Sequence, residues 1–386
     1  MRPLSSEVLP APFRLALGGS ALWMQERNCK RKEREEQMKD IESQEVTSAK
    51  TCHCSGQCTD CQSKKTTENQ STSRPVPFSA VTAMVWLLVL CVTAWGQSNG
   101  SGATSKSGGP GLLIIAHGSP ARAWNQQVLE QEQKVRAGFG DDNPFTDIKV
   151  VFMEFAEPNV ADGLGALVKA GCRRIVAVPL LIAPSSHSHW DIPALLGIHS
   201  DPQVEKALQE EGARLMRPEV PVTVTTTLDQ SDVIERIMLK RVRQLSRDTK
   251  QEAVVLLAHG SEAIPPAWDR FMKRTVTYIC GQTGISYGDW AAVGVGQEYS
   301  RAAAAMQEAA RYKDRVIVVG AYLSMGVSRM HNRWMTRFNE PGGEMPPAEN
   351  PLQGLNLELA EQGLLPDELV TQWIVDTARS EVQRHP

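Results

Sequence analysis

Ala116-His117-Gly118-Ser119, reached from the apolar run Leu112-Leu113-Ile114-Ile115, recurs as Ala258-His259-Gly260-Ser261 after Val254-Val255-Leu256-Leu257. A strand that ends in a histidine and turns through Gly-Ser into a helix is where an α/β sheet exposes a chemical group, at the carboxyl end of the strand. The two copies lie 142 residues apart, which predicts two versions of one half, each the size of an ordinary domain. Further landmarks hold the register. Glu157, in Phe-Met-Glu-Phe-Ala-Glu-Pro (152–158), follows His117 by 40 residues, and Glu298 follows His259 by 39. The segments 176–193 and 316–334 then superimpose so that His187 falls opposite Ser328. One half keeps His, Glu and His; the other has lost its second histidine.

From Gly111 onward, apolar β-type runs recur at 111–116, 148–154, 174–182, 221–226, 253–258, 290–295 and 315–320. Continuous Val/Ile/Leu runs signify strands covered on both faces, hence an α/β fold of two tandem Rossmann-like halves with parallel sheets flanked by helices. Residues 121–138 and 264–279 are the helices after the two turns, 299–312 is an alanine-rich helix, and 366–383 is a terminal amphipathic helix with Leu369, Trp373, Ile374 and Val375 on its apolar side. The expected organisation is a first half over 111–228, a second over 229–340, and a C-terminal extension over 341–386 that opens with a Pro/Gly-rich stretch.

Residues 1–77 read as a disordered N-terminal region, with mixed charges at 26–39 and a Ser/Thr-rich stretch at 62–75. Within it Cys52, His53, Cys54, Cys58 and Cys61 have either the donor types of a zinc or iron–sulfur loop or the character of a reactive tail. Residues 78–95, an apolar run of 18, form a signal-peptide core or a short membrane anchor within the segment 78–96, and 97–110 is a Ser/Gly-rich linker. Ala94-Trp95-Gly96 has the form of a cleavage site, so the expected location is extracytoplasmic, periplasmic or membrane-anchored, with a cytoplasmic protein as the alternative. Of 386 residues, 41% are hydrophobic and the net charge is −3, the balance of an ordinary soluble core. No basic stretch follows residue 110, and nothing points to nucleic acid. Oligomeric state is not legible.

His117, Glu157 and His187 all belong at or just beyond strand ends, so segments far apart in sequence converge in one cleft. Glu154 competes with Glu157. Strand alternation sends the two to opposite faces, and Glu157 is the chosen candidate. Two imidazoles and a carboxylate suit a divalent first-row metal, and the same groups can take up protons. Metal insertion into a tetrapyrrole needs both properties, because two pyrrole protons leave as the ion enters. No Gly-x-Ser-x-Gly elbow and no His-Glu-x-x-His occurs, which counts against hydrolases and zincins. Ser119 is expected to cap the following helix rather than act as a nucleophile.

The Ala-His-Gly-Ser strand end, the 152–158 segment and above all Pro179-Leu180-Leu181-Ile182 with His187, Asp191, Ile192 and Pro193 resemble the sirohydrochlorin chelatase family, the class II chelatases. The resemblance covers about 111–338, with Ser185 where the family pattern carries Gly. It implies a two-domain chelatase fold that inserts a divalent metal, Co2+ first with Fe2+ or Ni2+ as alternatives, into a sirohydrochlorin-type tetrapyrrole, with no cofactor beyond that metal substrate. It also implies His117 and His187 as metal-binding and proton-accepting groups with Glu157 assisting. In the second half His259 and Glu298 persist. Arg329, Arg333 and Arg337 are candidates for substrate carboxylates, His331 for a replacement ligand, His189 for either an added ligand or a solvent-facing side chain, and His199 for ordinary surface. The competing class is an extracytoplasmic carrier or sensor of metal or tetrapyrrole that uses the same site without turnover.

Overall fold

A computed structural model of the chain describes residues 108–260, 265–293, 299–339 and 350–385, apart from the side chains of 333, 334 and 336–339. The cysteine cluster, the run 78–95, Glu298 and the side chains of Arg333 and Arg337 therefore lie outside the described residues.

The first sheet contains β1 (Pro110–Ala116), β2 (Asp147–Phe152), β3 (Arg174–Pro179) and β4 (Val222–Val224), all parallel, in the order β2-β1-β3-β4. The second contains β5 (Glu252–Ala258), β6 (Tyr287–Ala292), β7 (Arg315–Ala321) and β8 (Leu357–Leu359), again parallel and in the corresponding order β6-β5-β7-β8. The unbroken apolar runs behave as strands buried on both faces require. Along β1, Leu113 and Ile115 face a core made with Leu164 and Leu167 of α2 (Val160–Lys169) and with Val204 and Leu208 of α3 (Pro202–Glu210). Leu112, Ile114 and Ala116 face the opposite way, onto Val128, Val135 and Phe139 of α1 (Arg122–Phe139). That second core runs without interruption into the other half. Each fully buried Leu, Ile or Val contributes about 1.5–3 kcal/mol by leaving water, so the shared face strongly favours keeping the halves together.

Two helices cross between the halves. α4 (Val233–Leu245), which follows the first sheet just past the expected boundary at 228/229, packs on β7 and on α5 (Pro265–Thr283) of the second half. The second half adds α6 (Tyr299–Tyr312), α7 (Val327–Asn339) and finally α8 (Glu368–Arg384), which returns to pack on α1 and β3 of the first. Thr371 of α8 donates to Gln131 Oε1 at 2.7 Å, and Arg174 donates to the Val382 carbonyl at 3.3 Å. The stretch expected as a C-terminal extension over 341–386 is thus integral among its described residues: it supplies the fourth strand of one sheet and a cover for the other. Three-residue β8 is too short for periodicity to reveal.

Helix ends follow their caps. The Asn159 side chain accepts the Asp162 amide at α2, Asp201 accepts the Gln203 and Val204 amides at α3, and Asp367 accepts the Leu369 amide at α8. Arg315, at the start of β7, is buried with Glu252 Oε1 at 2.6 Å, the Leu245 carbonyl at 2.8 Å and Glu358, which ties β5, β7, β8 and the end of α4 together. No helix among the described residues is long and apolar enough to cross a membrane.

Candidate functional site

The carboxyl ends of β1, β2 and β3 bring His117, Glu154 and His187 together, with one ligand atom from each within 4.8 Å of the others. The two imidazole rings meet edge to face at a centroid distance of 4.7 Å. Three chain segments build this cluster, and each is locked locally.

At the β1 end, Gly118 takes φ +93°, a backbone state that side chains other than glycine's rarely adopt. A Cβ there would sit 1.9 Å from the Glu154 carbonyl oxygen, so the glycine is what admits the β2 loop. The Glu154 amide donates to the His117 carbonyl at 2.9 Å and the Met153 amide to the Ala116 carbonyl at 3.0 Å, continuing the pairing past the strand end. Ser119 takes part in this turn rather than capping α1. Its hydroxyl accepts the Ala121 amide at 3.1 Å, while Asn125 bonds its amide at 2.9 Å and its carbonyl at 2.7 Å.

Glu157, the sequence candidate, does not join the cluster. It is exposed, and its carboxylate accepts the Asn159 amide at 2.7 Å in the turn before α2. The correction has a clear cause: β2 ends at Phe152, so strand alternation no longer applies at 154–157. Phe155, at φ +63°, then redirects the chain away from the cluster. The Phe155 ring is 39% exposed and lies 5.8 Å from the His117 ring, beside an open cavity of about 250 Å³ also lined by Glu154. A larger depression of about 450 Å³, among Arg236, Lys240, Arg243 and Tyr278, shares no residue with the cluster.

His187 opens a π-type turn in which the Ile192 amide reaches back to the His187 carbonyl. Its Nδ1–H donates to Asp191 Oδ2 at 2.6 Å, both residues being buried, and His117 Nδ1–H donates to the Gly118 carbonyl at 2.9 Å. With Nδ1 the donor in both rings, Nε2 carries the lone pair in both, the tautomer suited to binding a cation or taking a proton. Asp191 was legible as a motif residue without a role. Its i,i+4 spacing from His187 on one helical face was the signal for this carboxylate–histidine pair.

The remaining candidates lie elsewhere. His189 is exposed and bonds the Ser185 carbonyl and the Ser188 hydroxyl, and His199 is exposed in a loop. His259 rests its ring edge on Tyr322 at 5.0 Å. His331 pairs with the Tyr299 hydroxyl at 3.2 Å, and burial lowers its pKa. Ser328 uses its amide to reach Ala360, and exposed Arg329 contacts Met325. Cys172 and Cys280 are free thiols whose pKa values burial raises, as expected of core cysteines.

The CbiX family model matches residues 111–245. A sirohydrochlorin cobaltochelatase of Saccharolobus solfataricus is 30% identical over 134 residues, which are 35% of this chain and 94% of that protein. The chain belongs to the sirohydrochlorin chelatase family. The archaeal relative is spanned almost end to end by a stretch the length of one half, and the family match falls on the half that holds the cluster. A second cobaltochelatase, from Methanococcus maripaludis, is 31% identical over 88 residues, 23% of this chain and 58% of that one. Among solved structures, the sirohydrochlorin chelatase SirB from Bacillus subtilis subspecies spizizenii in complex with cobalt is 16% identical, with 72% of this chain and 97% of that chain covered and a TM-score of 0.49.

Proposed function

We propose that this chain inserts a divalent first-row metal into a sirohydrochlorin-type tetrapyrrole, at a site formed by His117, His187 and Glu154. The observation that carries the reading is the convergence of those three groups at the carboxyl ends of three neighbouring strands, in a chain of this family. Two imidazole nitrogens and one carboxylate oxygen form a donor set of intermediate hardness, suited to Co2+, Fe2+ or Ni2+. The relatives' cobaltochelatase names make Co2+ the metal to test first.

The chemistry follows from the tautomers. The metal enters as a dication and the macrocycle gives up two pyrrole protons, so charge is conserved and two acceptors are needed. As the metal passes from the imidazoles to the macrocycle, the Nε2 lone pairs of His117 and His187 are freed and take up those two protons. Asp191 stabilises the imidazolium at His187, and the Gly118 carbonyl stabilises the one at His117. Glu154 adds a negative charge that draws the cation toward the two rings. The half-buried setting of His117 and Glu154 leaves this edge accessible to a flat macrocycle. The apolar run 78–95 supports export or anchoring of the chain, which mapping of the mature N terminus tests.

The test is anaerobic absorbance of sirohydrochlorin with Co2+ and the full-length chain, beside His187→Ala, Glu154→Gln and Glu157→Gln. Acceleration over the protein-free rate is expected, lost in His187→Ala. Glu154→Gln should weaken Co2+ binding about tenfold or more, as loss of a ligand charge does, while Glu157→Gln should change it less than about twofold. Tight binding without acceleration would replace the enzyme by a carrier. Equal effects of the two glutamine variants would remove Glu154 from the site.

A further inference from the structure

The second half has its own grip on the segment that carries His187. Trp268, in the first turns of α5, donates its indole N–H to the Pro184 carbonyl at 2.8 Å, across 84 residues of sequence. Trp268 is only 5% exposed, and a buried indole N–H needs an acceptor, so this bond is part of the packing. Pro184 stands three residues before His187. Between them, the Ser185 amide donates to the Ser188 hydroxyl at 2.9 Å, and that hydroxyl donates back to the Ser185 carbonyl at 3.0 Å. These bonds close the loop on itself, so its placement over the sheet depends on what holds its stem.

Beyond the bond from the Leu228 amide to the Leu181 carbonyl at 3.0 Å, two attachments hold the stem, and α5 supplies or braces both. The first is Trp268 on Pro184. The second is the Asp229 amide on the Ile182 carbonyl at 2.9 Å. Asp229 is in turn fixed by Arg274 of α5, whose guanidinium donates to the Asp229 carbonyl at 2.8 Å and pairs with buried Glu235 at 2.7 Å. A further cross-half bond, Ser324 Oγ to Gln127 Oε1 at 3.1 Å, joins the loop after β7 to α1.

We propose that Trp268 is a positioning residue for the metal site: by holding the Pro184 carbonyl it sets where His187 stands against His117 and Glu154, and this makes the second half a required part of a site whose ligands all come from the first. The proposal rests on the chelatase reading for its functional consequence, but its mechanical part can be read without metal or substrate.

The experiment compares the full-length chain with Trp268→Phe, which keeps an aromatic ring and removes the N–H, and with Phe271→Leu. Phe271 is a buried neighbour whose ring lies 6.3 Å from Trp268, and no hydrogen bond links its side chain to the loop. Three readouts are taken: amide hydrogen exchange across 185–191, Co2+ affinity from its visible spectrum, and kcat against KM for sirohydrochlorin. In Trp268→Phe, exchange of the 185–191 amides should rise about three- to thirtyfold, Co2+ should bind about three- to tenfold more weakly, and kcat should fall with KM unchanged. Phe271→Leu should lower the melting temperature without moving the other three. Unchanged exchange and affinity in Trp268→Phe beside an active wild type would overturn the positioning role, as would equal effects of the two variants. Faster exchange in Trp268→Phe beside a wild type that binds Co2+ but does not turn over would keep the positioning role and sink the chelatase reading.

Discussion

Gly118→Ala tests whether the Ala-His-Gly-Ser turn exists to let two loops touch. The added Cβ falls 1.9 Å from the Glu154 carbonyl oxygen, a separation that real Cβ atoms essentially never show, so backbone must move by at least about 1 Å. The φ of +93° adds about 1–2 kcal/mol of strain for any side chain. Losing the bond from the Glu154 amide to the His117 carbonyl adds about 1 kcal/mol more. The sum, about 2–3 kcal/mol, corresponds to a melting temperature about 4–12 °C lower for a unit of this size. The same step displaces Glu154 from the histidines, and a misplacement near 1 Å costs about a hundredfold in a preorganised site. Gly260→Ala is the internal control. Its φ is +75° and among the described residues its Cβ would meet the Ala292 Cβ at 3.1 Å, so it should cost about 1–2 kcal/mol and leave the Co2+ affinity unchanged. Calorimetry and cobalt titration on both variants decide the matter. Equal losses of stability with Co2+ affinity intact in Gly118→Ala would refute the close-approach argument.

Two further predictions concern Asp191 and pH. Asp191→Asn keeps the shape but can present its amide to His187 Nδ1 and favour the other tautomer, so Co2+ affinity should fall about ten- to a hundredfold with little change in melting temperature; an unchanged affinity would mean that the pair at 2.6 Å does not orient the ring. On acidification, His331 acts first and the depressed carboxyls, Glu252 and Asp367 among them, act later. Burial lowers the His331 pKa from its ordinary 6.5, so below 6.5 the unfolded chain takes up that proton first and stability begins to decline. Burial alone would raise the Glu252 carboxyl from 4.5, but bonds from the Ser246 hydroxyl, the Arg247 amide and Arg315 outweigh it and lower it. For Asp367 likewise, burial is outweighed by Lys240, the Leu369 amide and Arg241, and the pKa falls below 3.8. Stability from these depressed carboxyls is complete above their unfolded values and is lost as pH drops through the folded ones. The melting temperature should be flat near pH 8, decline gently below about 6.5 and steeply below about 4.5, and His331→Gln should remove only the gentle limb. A profile unaffected by that substitution would contradict the assignment.

Much of this was readable from residue patterns. Runs such as 253–258 are apolar at every position because both faces of their strands are covered, and that signal survives any tertiary context. His117 and His187 stood out because a strand end followed by a turn exposes whatever side chain sits there. Glu154 did not, since alternation is a property of paired strand and β2 had already ended; the choice between the two glutamates turns on the Gly118 contact, a meeting of loops that no spacing encodes. Trp268 was equally hidden. A tryptophan inside an amphipathic helix reads as core, and only the fold reveals that its N–H lands on a carbonyl 84 residues upstream.

The contrast between the halves explains how one strand end can hold chemistry while its counterpart need not. Both keep the His-Gly turn at the same point of the sheet, so turn geometry alone does not make a site. In the first half the segment after β3 continues through Leu181 to a loop that turns back and delivers His187. After β7, Tyr322 stands at the place that Leu181 occupies, fully buried against His259, with a hydroxyl that has no hydrogen-bond partner among the described residues and a pKa pushed well above its ordinary value by burial. Gly320 makes room for that ring, since a Cβ there would lie 2.3 Å from it. An aromatic side chain thus packs beside His259 at the place where the first half carries Leu181, and Ser328 has no imidazole to offer. Among the described residues the second half braces the first from outside: α5 bonds the stem of the His187 loop and α8 covers β3, while the His117, Glu154 and His187 cluster is built from the first half.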